Sequence, residues 1–166
     1  MTFNKENELS FEFFPPRNNK EYTNLEETYK ILLEFNPTFV SYTDGAGASK
    51  NRDIIKSVEI LRKYSDTEVV AHITSCDKEK VDVDTLLDEY QKNNITSFLV
   101  IRGDCPTNEF LIDPDEIDFS GENEFRHASD LIEYLKSKGI NNIGFGAFPT
   151  GHPEDKSFEQ TVETFK

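Results

Sequence analysis

The sequence predicts an α/β fold, a (β/α)8 barrel of the TIM type interrupted after its fifth β/α unit. Three observations predict it. Strand-like and helix-like patterns alternate five times along the 166 residues. The units average about 33 residues, so eight would approach the roughly 250 residues typical of such barrels. Polar residues gather after the strands, the end at which barrels do their chemistry.

The first strand is LSFEFFPP, Leu9 to Pro16, stopped by Pro15 and Pro16 because proline cannot continue a ladder. Leu25, Thr28, Tyr29, Leu32 and Leu33 recur at helical spacing and predict a helix over 22–34. Asn36-Pro37 ends it. Thr38 to Thr43 is rich in β-branched and aromatic residues and reads as the second strand. A flexible loop follows at Asp44-Gly45-Ala46-Gly47. Ile54, Ile55, Val58 and Leu61 mark one face of a helix over 53–64, and Glu68 to Thr74 is the third strand.

The third helix is predicted over 84–92 and the fourth strand over 97–103. Cys105 to Glu124 is a long acidic loop, of a length that in compact domains is often functional. The fourth helix spans 127–138, with Gly139 as its stop. Asn142 to Pro149 is the fifth strand, and a fifth helix begins near Ser157. A strand–helix alternation predicts a parallel sheet. The first strand has no GxGxxG after it, so a dinucleotide fold is unsupported; a small flavodoxin-like sheet is the competing architecture. A five-unit piece would leave two open sheet edges.

The formal charge of −14 argues against a nucleic-acid backbone binder. No apolar run reaches the roughly 18 residues of a membrane helix, and the N-terminus lacks a signal-peptide core. Cys76 and Cys105 show no CxxC spacing, which fits a reducing, cytoplasmic compartment. His72, His127 and His152 show no metal-binding spacing, and no metal is expected.

Glu12 alternates with Phe11 and Phe13. In a barrel mouth it is a candidate general acid, with an aromatic environment raising its pKa; an outward-facing rim glutamate is the alternative. His72, amid Val69, Val70, Ala71 and Ile73, is either a site residue or a satisfied core histidine. Arg102 and Asp104 bracket Gly103, as a phosphate-holding end or a structural ion pair. Thr43, Asp44, Thr74, His152 and Glu154 also lie at strand ends.

SFEFFPPR (10–17), FVSYTDGAG (39–47), AHIT (71–74), IRGDCP (101–106), FRHASDL (125–131) and FPTGHPE (148–154) fall in order at the strand ends. Together they resemble the methylenetetrahydrofolate reductase family over nearly the whole chain. The resemblance implies residues 1–166 as the N-terminal part of a single TIM-barrel domain holding FAD at the strand C-termini. It implies a cytoplasmic flavoprotein of one-carbon metabolism. By ping-pong hydride transfer, NADH or NADPH would reduce the flavin, and the flavin would reduce 5,10-methylenetetrahydrofolate to 5-methyltetrahydrofolate for methionine biosynthesis.

By the same resemblance Glu12 matches the catalytic acid. Asp104 matches the aspartate that orients folate and tunes the flavin. Thr43, His72, Arg102 and Gly103 match flavin contacts. His127 and Ala128 open a flavin-contacting helix, and Phe148, His152 and Glu154 lie in a cofactor loop. The chain departs from the family at Asp44 and Phe148, where tyrosine is usual, at Thr150, where glutamate is common, and at Thr161, where an aspartate serves the cofactor. The family's last three strands, which supply further folate and nicotinamide contacts, have no counterpart here. A homo-oligomer is implied for the complete protein, and no nucleic-acid or membrane partner. The alternative is a non-catalytic or degenerate barrel piece that acts only by assembly with another chain.

Overall fold

The computed structural model describes residues 8–44, 51–76, 78–103, 125, 127–151 and 155–164. Five strands form one sheet: β1 (Ser10–Phe13), β2 (Phe39–Tyr42), β3 (Glu68–Thr74), β4 (Ser97–Ile101) and β5 (Asn142–Phe145). They pair in the order β1-β2-β3-β4-β5, every pair parallel. Helices follow each strand: α1 (Asn19–Leu32), α2 (Asn51–Leu61), α3 (Lys80–Lys92), α4 (Ala128–Ser137) and α5 (Phe158–Thr164). Sequential order is the arc of a β/α barrel. A flavodoxin-like sheet places its first strand between the second and third, so that alternative is excluded.

The pleat gives the sheet two unlike faces, because successive side chains point to opposite sides. One row across it reads Phe13, Tyr42, Ala71, Phe98, Ile143. These residues pack against Leu25, Tyr29, Val58, Leu86, Leu87, Leu131 and Leu135 of the helices in one continuous core. The adjacent row on the other face reads Glu12, Ser41, Val70, Ser97, Asn142. This second face is polar and partly open, and it carries the candidate site.

Several boundaries differ from expectation. Helix α1 starts at Asn19 because Asn18 caps it: the Asn18 side chain accepts from the Glu21 N–H, and its amide donates to Glu21 Oε1 at 2.6 Å. Helix α3 begins at Lys80, four residues early, where Asp82 Oδ2 accepts the Glu79 N–H at 3.1 Å. Strand β1 is shorter than Leu9 to Pro16 and β5 shorter than Asn142 to Pro149. The acidic loop after β4 lies outside the described residues. Cys76 is disulfide-bonded. Among the described residues no helix is long and apolar enough to cross a membrane.

Candidate active site

Parallel pairing brings the C-terminal ends of all five strands to one end of the sheet. Three backbone bonds extend the ladders past the strands. Thr43 N–H donates to Phe13 O, Ser75 N–H to Ile101 O, and Cys76 N–H to Arg102 O, at 3.1, 2.9 and 2.9 Å. Thr43, the Ser75 turn and Arg102 are therefore held as rigidly as strand residues.

Glu12 and His72 meet on the open face. His72 Nε2 lies 3.6 Å from Glu12 Oε2; the imidazole is 5% exposed and the carboxylate 52%. Burial lowers the His72 pKa, against the upward pull of the Glu12 and Asp44 carboxylates. The expectation that aromatic neighbours enclose Glu12 does not hold for this arrangement. Phe11 and Phe13 pack into the helix-side core, and the Glu12 carboxylate stands on the opposite face, half exposed.

Among the described residues, His72 Nε2 is buried with no hydrogen-bond partner, and so are Thr43 Oγ1 and Ser75 Oγ. One step past the Tyr42–Ala71 pair, the register sets Thr43 beside His72. Leaving a buried polar atom unpaired costs about 1–3 kcal/mol. A cluster of such atoms at strand C-termini is what a site awaiting a polar ligand requires.

Asp44 organises the rim. Its Oδ2 accepts from Thr74 N–H at 3.0 Å, Thr74 Oγ1 at 2.8 Å and Lys78 Nζ at 2.8 Å. Lys78 also donates to Thr74 Oγ1 at 2.6 Å. Such charge-assisted bonds are stronger than neutral ones, and they tie the end of β2 to the turn after β3. Gly103 has φ +76, and a Cβ there would stand 2.6 Å from Thr74 Cγ2. Only glycine closes the mouth at this point.

His127 caps α4, its N–H donating to Asp130 Oδ2 at 2.8 Å, and Ala128 packs against the core. Phe148 is 44% exposed beyond β5. The structure thus brings Glu12, Thr43, His72, Arg102 and Gly103 to one end, while His127, Ala128 and Phe148 stand on the neighbouring loop and helix starts. Asp104, His152 and Glu154 lie outside the described residues. Thr161 is buried and donates to Asp155 Oδ2 at 2.5 Å, so a carboxylate does stand beside that position. Sequence reasoning missed Lys78 and Ser75; an acidic residue directly after β2 was the available signal for Lys78, and Ser75 gave none. A shallow groove of about 360 Å³ lies elsewhere, between the β1–α1 turn and α1, lined by Phe13, Phe14, Pro15, Pro16, Arg17 and Leu25 among others.

An arc of sequentially paired parallel strands, polar at their C-terminal ends, defines a protein of the β/α-barrel class. The sequence model of the methylenetetrahydrofolate reductase family matches residues 1–166, and the chain belongs to that family. It is 30% identical over 158 residues to the 5,10-methylenetetrahydrofolate reductase of Escherichia coli, covering 95% of this chain and 49% of that protein. The Salmonella typhimurium protein of the same name is 29% identical with the same coverage. Methylenetetrahydrofolate reductase 2 of Schizosaccharomyces pombe is 31% identical over 147 residues, 86% of this chain and 22% of that protein. The chain spans about half the length of its bacterial relatives.

Proposed function

We propose that residues 1–166 are the N-terminal part of a single barrel domain whose whole reduces 5,10-methylenetetrahydrofolate to 5-methyltetrahydrofolate. FAD is the resident cofactor and NADH or NADPH the electron donor. One observation carries this reading beyond family membership. Thr43 Oγ1 and His72 Nε2, two atoms of residues matched to flavin contacts, are buried without a partner among the described residues, and His72 stands beside Glu12.

The residues fit a flavin. Its ring edge offers a hydrogen-bonding group to the orphaned Thr43 Oγ1. Leu99 and Gly144 continue the His72 row as an apolar floor, suited to a planar ring. Arg102 offers a guanidinium to a phosphate, and Gly103 lets backbone approach closely. Asp104, His127, Ala128, Phe148, His152 and Glu154 are assigned by resemblance. Bound FAD supplies the two-electron relay between nicotinamide and folate. Glu12 holds a proton at its carboxyl for the folate nitrogen that leaves as the five-membered ring opens to the iminium. Its half-exposed position leaves one side free to meet substrate. Asp104 orients the pterin.

The test uses the full-length protein. Glu12→Gln should retain FAD and its reduction by the nicotinamide, and lose nearly all folate reduction. Stopped-flow measurement of each half-reaction separates them, and normal folate reduction by the variant overturns the assignment. A second reading is favoured by the two sheet edges, β1 and β5, each of which pairs on one side only: the chain acts only when another polypeptide completes the arc.

A further inference from the structure

Within this reading His72 matches a cofactor contact. Its geometry gives it a second relation, to Glu12. The two residues stand on β1 and β3, with β2 between them. The β2 residue in register with Glu12 is Ser41, a small side chain. A larger residue there would fill the space over β2 through which the two side chains approach. His72 stands one pleat further along β3 than Val70, the residue level with Glu12. The imidazole therefore reaches back diagonally, and its Nε2 stops 3.6 Å from Glu12 Oε2. That is just beyond a hydrogen bond, and the buried nitrogen has no other partner among the described residues. A shift of a few tenths of an ångström by the half-exposed carboxylate closes the gap.

We propose that His72 is a positioning residue for Glu12, a neutral imidazole whose Nε2–H donates to Glu12 Oε2 and leaves Oε1 to face the substrate. A neutral donor suits the task. An imidazolium would add a full positive charge and favour the carboxylate over the acid; an N–H dipole orients the group with much less bias. Burial keeps the ring neutral. The charged groups that act on it are Glu12 and Asp44, and Asp44 is already paired with Lys78. When Glu12 delivers its proton, the carboxylate left behind keeps the same Nε2–H bond. No proton leaves the imidazole and no charge is created on it.

The proposal's catalytic meaning rests on the function proposed above, but its test does not. The 166-residue chain, labelled with nitrogen-15 at its three histidines, is titrated by long-range nitrogen–proton NMR. His72 should be neutral at pH 7 with its proton on Nε2. In Glu12→Gln, which changes a half-exposed side chain and leaves the core intact, the His72 midpoint should shift downward, because one carboxylate that favours the imidazolium is gone. A proton on Nδ1, or an unchanged His72 midpoint in Glu12→Gln, overturns the proposal. His72→Asn, should it fold, adds a second readout: the Glu12 carboxyl carbon shift should move, and an unmoved shift also counts against the pair. Normal folate reduction by full-length Glu12→Gln would overturn the functional reading and leave these results standing.

Discussion

A methyl group on Gly103 would meet Thr74 Cγ2 at 2.6 Å in a backbone conformation with φ +76. Gly139 has φ +84 but nothing within 4 Å. The two glycines separate strain from space. Gly139→Ala should cost about 1–2 kcal/mol, the left-handed penalty alone. Gly103→Ala adds overpacking, for about 2–4 kcal/mol in all. Urea unfolding of both variants checks the order; equal losses would refute the crowding at Thr74. His72 gives a pH signature. Its folded pKa lies below the unfolded value of about 6.5, so the unfolded chain binds the proton first. Stability should be full above that pH and fall as pH drops toward the folded pKa. Urea midpoints between pH 7.5 and 5 read it, and His72→Asn, if folded, should flatten the profile. At this scale the sequence made the strand-end residues legible, since alternation along the strand is enough to separate Glu12 from Phe11 and Phe13. It did not reveal that Glu12 and His72 approach across β2, because that depends on register and on the small size of Ser41. Nor did it reveal the Asp44–Lys78 pair, which joins residues from two different units.

Helix starts were the least legible elements. An apolar period locates the middle of a helix, whereas its first turn is set by which side chain folds back onto free N–H groups. Asn18 does this for α1 and Glu79 with Asp82 for α3, each several residues before the apolar pattern begins. Asn18→Ala should cost about 1 kcal/mol, with the first-turn amides of α1 losing most hydrogen-exchange protection; loss spread evenly along α1 would contradict a local cap. The strands show the converse. Glu68 to Thr74 was legible to the residue, because Val69, Ala71 and Ile73 alternate as a buried apolar row within a β-branched run. Strands β1 and β5 are shorter than their apolar runs, since each has a partner on one side only and pairing ends where the partner does.

The whole sheet leaves β1 and β5 as edges. Large apolar side chains are exposed around both: Leu9, Ile31 and Phe35 toward β1 and α1, and Phe145, Phe158 and Val162 toward β5 and α5. Unpaired edges and apolar patches are liabilities for a free domain. The 166-residue chain alone should therefore bind FAD weakly or not at all and show no folate reduction, since small displacements of a catalytic group are costly. Isothermal titration with FAD and a folate-coupled assay on monomer test this. Stoichiometric binding at micromolar or tighter affinity, with turnover, would show that five units suffice. The alternation and the unit length made the barrel arc legible before any coordinates. Strand order was the fact still needed, because the same alternation also builds doubly wound sheets.

Strand order has a consequence for how the molecule is made. Each strand pairs with the one synthesised just before it, so every new β/α unit finds its docking surface already present. No strand waits for a later one to be inserted beside it, as it must where the order is shuffled. Loops closed between neighbouring units are short and cost little entropy, and nascent chains emerge at about 5–20 residues per second. A unit of this size leaves the ribosome in a few seconds, long enough to settle on its predecessor. The order of translation is thus also an order of assembly, and a ribosome stalled after any unit would display a shorter arc of the same sheet.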